Sequence, residues 1–165
     1  MIRALLEGRK TQTRRICKGQ RALSNAHDFQ LDRCPYGTPG GLLWVRESHY
    51  IIGEHRWVHY RADGSNNLRD PSQWTGPWKP SIHMPRWASR LTLRITDVRV
   101  QRLKDISVAD AKAEGAQHGD FMHPDATVSF QALWKSINGA DSWFDNPWVW
   151  ALTFEVIKQN VDAAP

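Results

Sequence analysis

Apolar residues recur along the chain at two spacings, one helical and one extended, and the spacing changes from segment to segment. Ile2, Leu5 and Leu6 share one helical face and Gly8 follows where a stop is expected, so residues 1–7 predict a short helix. Lys10 to Ile16 is Thr-rich and reads as a short extended segment or a loop. Residues 18–41 are polar and end in Thr38-Pro39-Gly40-Gly41, a strong turn signal. Leu42 to Ile52 is apolar enough for one buried strand, and Trp57 to Arg61 alternates as a second. Between Gly64 and Pro85, four prolines and two glycines forbid a regular element. An ordered loop pinned by its two tryptophans is expected there.

Arg90 to Leu103 carries the clearest strand pattern. Leu91, Leu93 and Ile95 share one parity, whereas Val98 and Val100 share the other. The slip across Thr96-Asp97 predicts a bulge, a device by which small barrels close. Ser107 is placed to cap a short helix, with Asp110 three residues on and Gly115 at its end. Phe130, Leu133, Trp134 and Ile137 stand at i, i+3, i+4 and i+7, so a further helix runs from about Thr127 to Ile137. Asn138-Gly139 stops it. Trp148, Trp150, Leu152, Phe154 and Val156 alternate along a terminal strand, and Val161 to Pro165 is expected to fray. Short strands with two or three helices and long polar loops indicate a single α+β domain or small β-barrel over residues 1–160.

Composition sharpens this in two respects. At 165 residues the chain has a one-domain length, and nine tryptophans supply core area that a modest aliphatic content would not. No apolar run exceeds five residues, which is too short for a transmembrane helix. Met1 to Lys10 lacks the apolar stretch of a signal peptide, so a cytoplasmic location with no membrane partner is expected. The net charge of +5 is uneven: residues 1–102 hold 18 basic and 8 acidic residues, and 103–165 hold 4 and 9. Fifteen of the 22 cations are arginine, whose planar fork suits phosphate. Such a front half is compatible with a nucleotide or nucleic acid held by charge and stacking, and equally with a positive surface of no further purpose. Cys17 and Cys34 form no CxxC half-site, and His27 and His49 complete no recognised zinc spacing. Two reduced cysteines, no metal and no cofactor are expected.

Three segments are candidates for chemistry. Gly8-Arg9-Lys10-Thr11-Gln12-Thr13-Arg14-Arg15 places four cations and two hydroxyls in eight residues. There Lys10 can act as a desolvated base or bind an oxyanion, and Thr11 or Thr13 can be a nucleophile if a base is in reach. The structural alternative is a sheet edge with solvated cations. In a regular strand Lys10 and Thr13 face opposite sides, so a shared site demands a turn or bulge. In Leu43-Trp44-Val45-Arg46-Glu47-Ser48 at least one charge points into the fold, to line a cavity or to be neutralised by a neighbour. On the helix after Ser107, Asp110 and Glu114 share a face one turn apart. Glu114 at the helix C-terminus is disfavoured by the dipole, which hints at a task such as fixing Lys10, although a solvated acidic face is the plainer reading. His83, Arg86 and Trp87 can grip a base and a phosphate, or Trp87 can simply be core.

Together, Gly8-Arg9-Lys10-Thr11-x-Thr13-x-Arg15, Leu43-Trp44-Val45-Arg46-Glu47 and Ala111-Lys112-Ala113-Glu114-Gly115 resemble the ASCH domain family, over nearly the whole chain. The runs Ser81 to Arg90 and Asn146-Pro147-Trp148-Val149-Trp150 are similar to its phage and prophage branch. The resemblance implies a PUA-like β-barrel and an RNA- or nucleoside-directed role. Relatives usually begin with a short extended segment ahead of the position of Met1, so a barrel edge near 42–52 or 148–156 is expected to be less covered. Some small members are amidohydrolases that remove the acetyl group of N4-acetylcytidine with a Lys, a Thr and a Glu. These fall on Lys10, Thr13 and Glu114, with Arg9, Thr11, Arg15, Arg46, Glu47, His83, Arg86 and Trp87 as expected substrate contacts. The alternatives are a non-catalytic RNA-binding module, a ribonuclease using Lys10 and neighbouring arginines on the phosphate, and a structural phage protein. The implied partner is a nucleoside or single-stranded RNA.

Overall fold

The parity slip at Thr96-Asp97 shapes the main sheet. In the computed structural model, β5 (Thr92–Arg102) runs antiparallel to β6 (Trp148–Ile157), and the register shifts between Ile95 and Asp97 as expected. Residues 1–17, 31, 34–52, 57–64, 77–116 and 125–164 are described. Most of 18–41, His27, and much of the Trp- and Pro-rich stretch 64–85 lie outside them. Helix α1 (Ile2–Leu6) leads into β1 (Gln12–Ile16), which pairs with β6, and β2 (Leu42–Trp44) pairs with β5. The resulting antiparallel order is β1-β6-β5-β2, a curled half-barrel. A separate ribbon joins β3 (His49–Ile52) to β4 (Trp57–Tyr60).

Alternation along β5 and β6 sorts their side chains between two cores. Ile95, Val98, Trp150 and Leu152 pack with Cys17 and Cys34 inside the curl, next to a second group of Leu5, Val45, Leu91 and Phe154. The opposite face presents Val149 and Ile16 to Leu103, Ile106, Phe130 and Trp134. That face is closed by α2 (Val108–Ala113) and α3 (Ala126–Asn138). Ser107 caps α2 by accepting from the Asp110 N–H at 3.0 Å, and Asp125 caps α3 from Thr127. The fold is therefore, among the described residues, α+β with three α-helices. Among the described residues no helix is long and apolar enough to cross a membrane.

Four expectations change. Residues 42–52 form not one strand but two, in different sheets, because the chain leaves the sheet to bury Glu47 beside Arg90. Strand β6 lies between β1 and β5, so of the two expected edges 148–156 is interior, whereas β2, at 42–44, ends the sheet among the described residues. Ile137 is 70% exposed despite its helical spacing, since α3 buries only its face around Phe130 and Trp134. At the C-terminus Val161 is buried, and the Asn160 amide donates to the carbonyls of Arg86, Trp87 and Ser89, so the chain stays docked past 160.

Burial this uneven along one layer is measurable. Leu103→Ala, at a fully buried position, is expected to lose about 2–5 kcal/mol. Ile137→Ala should stay within about 0.5 kcal/mol of the parent in urea denaturation. Comparable losses at the two positions would contradict this placement of the helical layer.

Candidate functional site

Lys10 reaches its partners because two glycines turn the chain on either side of it. Gly8 (φ 72°) ends the α1 turn, and the Thr11 N–H donates to Ala113 O at 2.8 Å, docking the segment on the end of α2. Gly115 (φ 83°) lets α2 end against Lys10, where an added Cβ would sit 3.3 Å from Lys10 Cβ and Ala4 Cβ. Lys10 is 5% exposed, and its Nζ donates to Gln12 O (2.8 Å), Glu114 O (2.8 Å) and Glu114 Oε2 (2.7 Å). Arg14 joins the same carboxylate, Nη1 lying 3.2 Å from Glu114 Oε1, and its Nη2 lies 3.1 Å from Asp110 Oδ2. Gln12 Nε2 donates to Asp110 Oδ1 and Thr153 Oγ1. Two cations and two carboxylates thus form one buried network.

The electrostatics follow from burial and pairing. Burial pushes the Lys10 pKa down, and Glu114 offsets only part of that. Burial also works against ionisation of Asp110, but the Gln12 hydrogen bond and the charges of Arg14 and Arg99 outweigh it and hold its carboxyl below the usual range. Three N–H donors on three oxygens is the satisfied geometry of an ammonium. Thr13 stands apart. Strand β1 pairs with β6 in unbroken register, Thr13 opposite Leu152, so it projects from the face opposite to Gln12 and Arg14. The bulge that a shared site demanded is not there, and among the described residues no hydrogen bond joins Thr13 to Lys10 or Glu114.

A second constellation surrounds Glu47, which is 1% exposed. Arg90 donates to both of its oxygens, Nε to Oε1 and Nη2 to Oε2, each at 3.0 Å. The same guanidinium meets both Asp63 oxygens at 2.8 and 2.7 Å and stacks 3.9 Å from the Tyr60 ring centroid. Burial alone would lower the Arg90 pKa, but the two carboxylates raise it above the usual range. Beside this clamp lies a cavity of about 300 Å³ lined by Ile2, Arg3, Glu47, Ser48, Arg61 and Ala62.

The remaining candidates are dispersed. Arg9 pairs with Glu7. Thr11 is held through its backbone, its carbonyl accepting from the Phe154 N–H. Exposed Arg15 donates to Arg14 O, and exposed Arg46 lies 5.7 Å from the Trp44 ring centroid. His83 and Trp87 are exposed, and Arg86 pairs with Asp162 at 2.9 Å. Buried Cys17 and Cys34 are free thiols, burial pushing Cys17 up to about 12. Among the described residues no group of three His, Cys, Asp or Glu is placed to hold a metal. Gln12, Arg14, Tyr60, Asp63 and Arg90 were not singled out from sequence. The shared parity of 10, 12 and 14 is the signal that could have found Gln12 and Arg14.

No family model and no curated protein matches the chain. One solved structure is similar, a protein of Enterococcus faecalis V583 described by the family model DUF984. It is 12% identical with a TM-score of 0.46, over 99% of this chain and 73% of that one.

Two outcomes test the buried network. Glu114→Gln strands Lys10 and Arg14 without their shared carboxylate and is expected to lose about 3–5 kcal/mol, read by denaturant unfolding. A loss under about 0.5 kcal/mol, the range of ordinary surface substitutions, would contradict the network. Asp110, with its pKa depressed on folding, contributes stability in full above its unfolded value of 3.8. That contribution is lost as pH falls through the folded value. The stability gap between the parent and Asp110→Asn is therefore expected to shrink as pH falls below 3.8, and an unchanged gap would contradict the assignment.

Proposed function

We propose that the protein is an ASCH-type, PUA-like domain that binds single-stranded RNA or a nucleoside, and that Lys10 and Glu114 support the fold of this binder. The observation that carries the reading is the fate of the charges in the basic front half. Its described carboxylates are spent internally: Glu7 on Arg9, Glu47 and Asp63 on Arg90, Asp97 on Arg99. Arg3, Arg15, Arg46 and Arg61 are exposed and have no carboxylate partner among the described residues. Exposed guanidinium groups without a carboxylate, in a half of the chain that also exposes Trp57 and Trp87, suit phosphates and unstacked bases.

A second reading, hydrolysis of N4-acetylcytidine, is favoured by one observation, the burial of Lys10 against Glu114, which pushes the amine's pKa down. Thr13 Oγ would attack the acetamide carbonyl and lose its proton to a neutral Lys10. The cytidine amine would leave with a proton, and water would release acetate from the acyl-threonine. That route needs Thr13 within hydrogen-bond reach of Lys10, and it needs the amine to give up a hydrogen bond it now makes. The ribonuclease alternative likewise needs Lys10 at a phosphate, whereas its three donors are engaged.

Fluorescence anisotropy with a single-stranded RNA separates the readings. Affinity is expected to fall as salt rises, and Arg15→Gln with Arg46→Gln should reduce the log–log slope by about 0.7 for each arginine that contacts a phosphate. Salt-insensitive binding, or none, would overturn the proposal. Release of cytidine from N4-acetylcytidine, abolished by Lys10→Ala and by Thr13→Ala, would establish the second reading instead.

A further inference from the structure

The cavity beside Glu47 is lined by two arginines, Arg3 and Arg61, that pair with no carboxylate among the described residues. Both carboxylates in its neighbourhood are committed: each oxygen of Glu47 and each oxygen of Asp63 already accepts from Arg90. The Arg90 guanidinium that holds them is stacked on the Tyr60 ring. Arg3 is oriented by donating through Nε to Ala62 O at 2.9 Å, which leaves its terminal amino groups available. Arg61 is positioned through its backbone, its N–H donating to Ser48 O at 2.9 Å, and its guanidinium has no partner among the described residues. The Ser48 hydroxyl likewise makes no hydrogen bond to a described residue. Arg3, Arg61 and Ser48 therefore line, together with the clamped Glu47, one cavity of about 300 Å³, at the lower end of the range for small-molecule sites.

We propose that this cavity binds a terminal phosphate monoester, with Arg3 and Arg61 on its oxygens and Ser48 as an additional donor. A monoester carries close to two negative charges and three acceptor oxygens, matching two guanidinium groups in charge and geometry. An internal phosphodiester offers one charge and two free oxygens. The same chemistry occurs on a free nucleoside monophosphate and on the 5′ end of an RNA. The inference deepens the RNA reading by giving that partner an end to be recognised by, and rests on it only for the source of the phosphate.

Binding of uridine and uridine 5′-monophosphate, and of one RNA decamer with a 5′-hydroxyl or a 5′-phosphate, tests this in the parent and in Arg3→Gln/Arg61→Gln. Both substitutions are at exposed side chains, and thermal unfolding checks that the variant folds. The phosphorylated member is expected to bind tighter than its partner by roughly tenfold or more, as charged hydrogen bonds imply. The preference should vanish in the variant. Equal binding of phosphorylated and unphosphorylated forms, or a preference that survives the double substitution, would overturn the proposal. If the decamers do not bind but the monophosphate does, the site stands with a free nucleotide as its ligand, and it is the RNA reading that fails.

Discussion

The burial of Lys10 and Arg14 against the carboxylates of Glu114 and Asp110 fixes how the helical layer meets the sheet. Four ionisable groups leave water together, a cost that only close pairing offsets. Lys10 lies between α1 and β1, Arg14 is on β1, and the carboxylates come from α2 and its C-cap. A slide of α2 along the sheet would break several charged contacts at once. The apolar contacts of Phe130, Trp134 and Val149 are not directional in this way and tolerate small displacements that the ion network does not. Apolar burial thus supplies cohesion and the charges supply position.

The same logic operates again around Arg90. One guanidinium holds the segment after β2, through Glu47, to the turn after β4, through Asp63, with Tyr60 beneath it. That clamp ties the two-stranded ribbon to the main sheet, and among the described residues no strand pairing joins the two. Both Glu47 oxygens and both Asp63 oxygens are taken up by the half-buried Arg90, and neither carboxylate pairs with Arg3 or Arg61 among the described residues.

Much of the fold was legible in the sequence, because alternation and helical spacing are local properties. The bulge at Thr96-Asp97, the Ser107 cap and the α3 stop at Gly139 all follow from a few neighbouring residues. Residues 42–52 misled for the opposite reason. Their apolar run suggests one strand, but the break is imposed by Arg90, more than forty positions away. The candidate site shows the same division. Asp110 and Glu114 sharing a face is local and readable, and so is the opposed parity of Lys10 and Thr13. Whether the chain would bulge to reconcile that parity depends on β6, and the unbroken β1–β6 register answers it. A resemblance carried by three residue types does not by itself fix their mutual geometry.

A buried lysine that positions a helix and a buried lysine that abstracts a proton differ in one property, the protonation state of the amine. With Gln12 O, Glu114 O and Glu114 Oε2 each accepting one N–H, Lys10 is most stable as an ammonium. Nitrogen-15 NMR of the lysine Nζ groups, with Lys10 assigned by substitution, reads this directly. The account predicts an Nζ that is protonated at neutral pH and exchanges slowly with water. A Lys10 that is a neutral amine at neutral pH, and so free to accept a proton, would contradict it.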